Sequence, residues 1–255
     1  MRAAAIGVDV GSTTCKAVAV DAAGRPVAHR VEPTDPRIEP QVERIVRELR
    51  EETGAVGPVG ATGYGRKRVP SGRALTEITC HARGAFATVR RSGALVDMGG
   101  QDTKVIRIGP AGEVLDFAMN DKCAAGTGRF LEVILGRLRV PFDEVSAQVS
   151  RAARAVPVSS TCTVFAESEV ISLVAGGEPL EGILKGLHQA LAARVAALAR
   201  GTAGSGEVFM SGGVALNAAM VGALRDALGR PIHVVPEPQL VGALGAALSV
   251  LPGSP

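Results

Sequence analysis

The chain has no tryptophan, one tyrosine and six phenylalanines among 255 residues. Aromatic platforms for stacking bases are therefore scarce, and a core of this size has to be filled with Ala, Val, Leu and Ile. Runs of like charge are missing too: 28 basic and 25 acidic residues are interspersed and give a net charge of +3. That argues against nucleic acid as a partner. No apolar run is long enough for a bilayer, since the longest near the C-terminus, LVGALGAALSVL, has 12 residues against the roughly 20 needed. Asp9 breaks the N-terminal apolar run too early for a signal peptide. The expectation is a cytoplasmic protein with no membrane partner. Four cysteines (Cys15, Cys80, Cys123, Cys162) without an export signal argue against a disulfide framework and point to reduced thiols or metal ligands. Neither G-x-x-x-x-G-K-[ST] nor a G-x-G-x-x-G following a strand occurs, which sets aside the P-loop and Rossmann readings.

What the chain does contain is an internal duplication. IGVDVGSTTCKAVAVDAAGRPV lies over ALVDMGGQDTKVIRIGPAGEVL without a gap at an offset of 88 residues. Asp9 falls on Asp97, Gly11 on Gly99, Lys16 on Lys104, Val18 on Ile106 and Gly24 on Gly112. Each copy reads as an apolar strand ending in Asp-x-Gly, a tight turn, and alternation resuming over Lys16–Val20 and Lys104–Ile108. Two related lobes are expected: 1–92, with a C-terminal helix over 239–251 packing back on it, and 93–238. Helical periodicity links Ile38, Val42, Ile45, Val46 and Leu49 in a helix closed by Gly54, and marks another segment within Ala74 to Arg91. Phe130, Leu131, Ile134, Leu135 and Leu138 share a face, as do Leu180, Ile183, Leu184, Leu187, Leu191, Val195 and Leu198; Gly176, Gly177 and Gly229 read as helix stops.

The two Asp-x-Gly turns carry the first chemistry. A glycine and hydroxyl turn directly after a strand offers backbone N–H groups to phosphate, and a nearby carboxylate can face hydrated magnesium. Asp9 and Asp97 are placed for the metal. Gly11, Ser12, Thr13, Thr14, Cys15 and Lys16 wrap one side of the phosphates, and Gly99, Gly100 and Gln101 the other. One such turn alone is as readily a plain hairpin. A third element, FMSGGVALN, places Gly212 and Gly213 before a helix containing Asn217, where backbone can approach a ribose and adenine. Duplicated phosphate turns with this loop resemble the acetate and sugar kinase, Hsp70 and actin superfamily. That resemblance implies an α/β fold of two ribonuclease-H-like lobes with the nucleotide cleft between them.

Cys123 in NDKCAAGTGRF and Cys162 in STCTVFAESEV each precede a helical pattern, so each is expected at the positive end of a helix dipole, favourable for an anionic metal–thiolate centre. A four-iron cluster takes four thiolates, and one chain offers two in such positions, so a second copy would supply the others. Both can equally be small buried hydrophobes, the commoner fate of cytosolic cysteine. Glu167 and Glu169 read as dipole-complementing carboxylates of the helix after Cys162, and His81 and Glu77 as helix-surface or lobe contacts. Cys80 and Tyr64 carry no assigned function.

The set DMGGQD, NDKCAAGTGRF, CTVFAESEVI and SGGVALN is similar to the BadF/BadG/BcrA/BcrD ATPase family, and within it to the activators of 2-hydroxyacyl-CoA dehydratases. The resemblance implies an ATPase acting in electron transfer, with ATP/ADP and Mg2+ in its site. It further implies a homodimer bridged by one [4Fe-4S] cluster on Cys123 and Cys162 of each copy, a dehydratase as electron acceptor, and a reduced ferredoxin or flavodoxin as donor. Gln101 matches the second phosphate turn, Asn217 the adenosine motif and Gln239 a position near the base, while Leu216 departs from the Gln of relatives. Lys122, Arg129, Arg137 and Arg139 are expected to help dock an acidic carrier or the dehydratase. An ATPase subunit of a benzoyl-CoA reductase would share these motifs. A small-molecule kinase or a nucleotide-gated regulator of the same superfamily would need neither Cys123 nor Cys162.

Overall fold

The computed structural model describes residues 2–159 and 162–253. The first half runs β1 (Ala5–Val10), β2 (Thr14–Val20), β3 (Pro26–Pro33), α1 (Ile38–Thr53), β4 (Val59–Thr62), β5 (Gly72–Ala74) and α2 (Glu77–Val89). The second runs β6 (Gly93–Met98), β7 (Thr103–Ile108), β8 (Val114–Asn120), α3 (Gly128–Leu138), α4 (Val145–Ser150), α5 (Thr163–Ala175), α6 (Leu180–Ala199), β9 (Val208–Ser211), α7 (Ala218–Leu228), β10 (Ile232–Val234) and α8 (Val241–Val250). Two compact units result: Met1–Ser92 with Ile106–Asp116 and Val235–Pro255, and Gly93–Val105 with Phe117–Val234.

Each half of the chain builds a five-stranded sheet of the same plan. The orders are β3-β2-β1-β4-β5 and β8-β7-β6-β9-β10. β1 pairs antiparallel with β2 and parallel with β4, and β6 likewise pairs parallel with β9. The offset of 88 carries Ala5–Val10 onto Gly93–Met98, so the sequence repeat is a repeat of strands. β1 is buried along its whole length because it is central and covered on both faces, which is why it reads as a continuous apolar run. β3, at an edge, alternates and carries His29, Arg30 and Glu32.

The periodic helices form where the apolar stripes demand them. α1 buries Val42, Ile45 and Leu49 and stops at left-handed Gly54; α6 buries Ile183, Leu184, Leu187, Leu191 and Val195 in the core of the second unit. β4, β5, β10 and the short α4 escaped the sequence pattern. At three to six residues they hold too few positions for a period to show, and β4 (VGAT) and β5 (GRA) include glycine.

Aromatic poverty has a packing consequence. With few large side chains, helices close on backbone: a Cβ on Gly7 of β1 would stand 1.9 Å from the Ala243 oxygen, and one on Gly245 of α8 would stand 1.7 Å from the Cys80 oxygen. α8 therefore lies flush on β1 and α2, and Ala243 and Ala247 pack with Ala5 and Val18. Gly245→Val is expected to lower stability by about 3 kcal/mol, because the clashing atom is backbone rather than a side chain that can swing away. Gly136→Ala, with nothing within 4 Å of the new methyl, is expected to raise stability by about 0.5–1 kcal/mol. Urea midpoints of the two variants check both signs.

Candidate functional site

In the first unit Asp9 is the penultimate residue of β1, paired in register with Lys16 of β2, and the Lys16 Nζ lies 3.3 Å from its Oδ2. The following turn is closed by the Gly11 N–H donating to the Thr14 carbonyl (3.1 Å), and Thr34 Oγ1 donates to the Gly11 carbonyl (2.8 Å). Thr13 points to solvent while Ser12, Thr14 and Lys16 are partly exposed, so their polar atoms line one side of the turn. Cys15 alternates inward into the core; burial, reinforced by the neighbouring Asp9 charge, pushes its thiol up to about 12. Asp9 is walled by backbone, with Oδ1 2.5 Å from where a Gly63 Cβ would sit and Oδ2 2.9 Å from that of Gly242. His81 lines the same wall and is buried rather than on the helix surface; its Nδ1–H donates to the Glu77 carbonyl at 2.9 Å.

The second unit repeats and elaborates this arrangement. Asp97 is penultimate in β6, in register with Ser211 of β9, whose Oγ donates to its Oδ1 at 2.7 Å. Lys104 is buried, 3.6 Å from Asp97 Oδ2 and in contact with Asp102. Two carboxylates, one ammonium and one hydroxyl thus share a site from which water is nearly excluded, and the attraction is strong because the local dielectric is low. Gly99 and Gly100 are partly exposed and Gln101 fully so, presenting the turn to solvent. Gly212 adopts φ +88°, and a Cβ there would stand 2.3 Å from the Met98 oxygen, so the Ser-Gly-Gly turn lies against the end of β6. Gly213 follows it, half-buried, and Gln239 is half-buried just ahead of α8.

Asn217 is buried and acts as the cap of α7. Its Oδ1 accepts from the Met220 N–H (3.1 Å) and from Ser146 Oγ (3.0 Å), and its Nδ2 donates to His188 Nε2 (2.9 Å). Since His188 Nδ1 faces the Leu184 carbonyl at 2.7 Å, the proton is on Nδ1 and Nε2 accepts. Burial lowers the His188 pKa, keeping the ring neutral as this chain of bonds requires.

Cys162 is the residue preceding α5 and is exposed, as the dipole argument expects. Cys123 is exposed too, but the dipole argument fails for it. It lies five residues ahead of Gly128, the start of α3, and the helix field falls off within one turn. Ser160 and Thr161, which open the STCTVFAESEV motif, lie outside the described residues. Glu167 and Glu169 sit beyond the first turn of α5, not in it: Glu167 pairs with Arg137, and Glu169 accepts from the Ser159 N–H (2.8 Å) and Oγ (2.9 Å), anchoring the approach to Cys162. Arg129 pairs with Glu132, and Lys122 is exposed beside Cys123. Cys80 is buried, its thiol pushed up to about 11. Among the described residues no three His, Cys, Asp or Glu side chains converge as a metal site. A divalent cation at either turn would accordingly keep most of its water.

Sequence reasoning passed over Asp102, Ser146 and His188, and placed Ser211 only at the end of a strand opening the adenosine loop. Lys104 was visible through its match to Lys16, but Asp102 falls on Thr14 in the repeat and has no acidic counterpart. The others become relevant only through pairing between distant segments.

Two five-stranded sheets built on one repeated plan, each with an acidic turn at the end of its central strand, make the fold of the acetate and sugar kinase, Hsp70 and actin superfamily. A ROK family glucokinase from Streptomyces griseus shares the fold with a TM-score of 0.59 at 16% identity, over 95% of this chain and 97% of that one. Within the superfamily, residues 6–250 match the BadF/BadG/BcrA/BcrD ATPase family, to which the chain belongs. It is 42% identical over 249 residues to the activator of lactoyl-CoA dehydratase from Anaerotignum propionicum, spanning 95% of each chain. The activator of 2-hydroxyisocaproyl-CoA dehydratase from Clostridium difficile, solved with bound ADPNP, superimposes with a TM-score of 0.88 at 37% identity over 97% of this chain and 94% of its own. No described helix is long and apolar enough to cross a membrane.

The His188 network carries a sign. A histidine whose folded pKa lies below its unfolded value contributes stability that is complete above about pH 6.5 and is lost as pH falls through the folded value. Lys185, Arg225 and Asp226 are the charged groups that line the same groove. Chemical denaturation from pH 7 to 5 is expected to narrow the stability gap between the wild type and His188→Leu, because the variant has no imidazole to protonate.

Proposed function

We propose that this protein activates a 2-hydroxyacyl-CoA dehydratase: it hydrolyses Mg-ATP and delivers one low-potential electron per event from a [4Fe-4S] cluster that two copies of the chain hold together. The observation that carries this reading is the division of its four thiols. Cys15 and Cys80 are buried with their pKa values pushed up to about 12 and about 11, whereas Cys123 and Cys162 are exposed and belong to the same compact unit as Asp97. Thiolates are the ligands of such clusters, so the donor set fits two ligands per chain and four per pair. Val164 and Phe165, each 69% exposed and two and three residues after Cys162, supply apolar surface suited to a second copy. When bound, the cluster supplies one-electron chemistry at a potential set by amide hydrogen bonds and solvent exposure.

The chain's own residues supply the rest. Asp9 and Asp97, each nearly buried beneath its turn, supply the negative charge that draws Mg2+, the turn from Gly11 to Lys16 and the turn of Gly99, Gly100 and Gln101 wrap the phosphates, and Gln101 orients the attacking water. Gly212, Gly213, Asn217 and Gln239 shape the adenosine side. Lowering a donor potential by ~200 mV requires roughly 5 kcal/mol, which differential binding of nucleotide to two conformers can provide. Cytoplasmic reduced ferredoxin or flavodoxin serves as donor, docked by the basic set Lys122, Arg129, Arg137 and Arg139, so that association weakens with salt.

Anaerobic purification with iron and sulfide analysis tests the assignment. Cys123→Ser and Cys162→Ser are expected to abolish visible absorbance and retain nucleotide binding, and full iron content in either would overturn the ligand set. Asp97→Ala is expected to cut ATP turnover at least about 100-fold while keeping iron; loss of iron with retained turnover would make Asp97 a structural residue instead.

A further inference from the structure

The segment that carries Cys123 is tied in turn to the end of β8, to the start of β7 and to the turn that follows Asp97. Asn120, the last residue of β8, donates from Nδ2 to the carbonyls of Cys123 (3.0 Å) and Ala125 (2.8 Å). Thr103, first residue of β7 and next to Asp102, is fully buried and donates from Oγ1 to the Gly126 carbonyl at 2.6 Å. One step further, the N–H groups of Gly128 and Arg129 at the start of α3 donate to the carbonyls of Gly99 (2.9 Å) and Gly100 (2.7 Å), within the acidic turn itself.

The segment between these ties is Ala124, Ala125 and Gly126, which has almost no side chain with which to pack. Gly126 holds φ +97°, a conformation that glycine adopts without strain. Behind it lies a cavity of about 230 Å3 lined by Thr103, Asn120, Ala125, Gly126 and, from α6, Arg194 and Val195. Hydrogen bonds rather than packing therefore set the position of this segment, and there is room on one side for it to shift.

We propose that Thr103 and Asn120 are positioning residues for Cys123: Asn120 fixes its loop to the end of β8 and Thr103 fixes the same loop to the strand that leaves the acidic turn, so that loop and turn move as one piece. A ligand that reorients the amides of Gly99 and Gly100 pulls on their carbonyls, hence on the first amides of α3 and, through Thr103 and Asn120, on the Cys123 backbone. The accessibility of the Cys123 thiol then reports what occupies the turn. The geometry stands without any metal, although its use in electron transfer rests on Cys123 being a cluster ligand.

The experiment uses the full chain in cluster-free form and measures alkylation of Cys123 by iodoacetamide, read by peptide mass spectrometry against Cys162 in the same molecule, with and without Mg-ADP or a non-hydrolysable Mg-ATP analogue. In the wild type, nucleotide is expected to change the ratio of the two rates. Thr103→Val is expected to bind nucleotide as tightly but to lose that response, with Cys123 reacting about fivefold faster in every state, the factor one ordinary hydrogen bond contributes. Thr103→Ser, which keeps the hydroxyl, restores the response, and Asn120→Leu repeats the loss from the other tie, so the test survives if Thr103→Val does not fold. A wild-type ratio indifferent to nucleotide, or a folded Thr103→Val or Asn120→Leu with the wild-type response, overturns the proposal. Iron retained by Cys123→Ser would remove the cluster assignment separately and leave the alkylation result standing.

Discussion

Burying a carboxylate costs several kcal/mol unless its charge is met, and each half of the chain buries one at the penultimate position of its central strand. Asp9 is met by Lys16 and Asp97 by Lys104 and Ser211. The cation comes from the next strand of the hairpin in both cases, so the hairpin that makes the turn also supplies the charge, while Ser211 reaches Asp97 from the parallel strand β9. Everything exposed at the turn, from Ser12 to Lys16 and from Gly99 to Gln101, is held in place by that buried pairing beneath it. The second copy adds Asp102 to the same ammonium and thereby makes a tighter, more fully enclosed site than the first.

Close backbone packing is the other constraint. Few aromatic side chains are available, so α8 is pressed onto β1 and α2 at Gly7, Gly84 and Gly245, where a single methyl would meet a carbonyl oxygen. Interiors of this kind are dense but intolerant, since the atom that would have to yield belongs to the main chain. The same economy of side chains recurs in the Cys123 loop, but there it leaves a cavity instead of a contact, and hydrogen bonds take over the work of placement.

The four cysteines sort by environment in a way that links stability to chemistry. Two sit in the interior of the first unit, where desolvation disfavours the thiolate, and two sit in solvent on the second unit, on segments anchored by Asn120 and by the Ser159–Glu169 bonds. Anchoring an exposed thiol by its neighbours' backbone leaves the sulfur available for a ligand while fixing where it is.

Periodicity and repetition alone determined much of this protein: the strand–turn–strand duplication at an offset of 88, the helices over Ile38–Thr53 and Leu180–Ala199, and the terminal helix over Val241–Val250 were legible because each spans enough residues for a pattern of two or 3.6 to emerge. The strands β4, β5 and β10 were not, being too short to carry one. Among the candidate site residues, Asp9, Asp97 and the glycine turns were visible because the repeat displays them twice. The roles of Asp102, Ser211, Ser146 and His188 were invisible, since each matters through a hydrogen bond or ion pair to a partner whose proximity no local pattern encodes. The placement of Cys123 shows the same division. Its residue type was evident from the motif, but only the tertiary structure decided that a threonine and an asparagine, and not a helix dipole, hold it, because the direction of a loop is fixed by the bonds it makes to distant backbone.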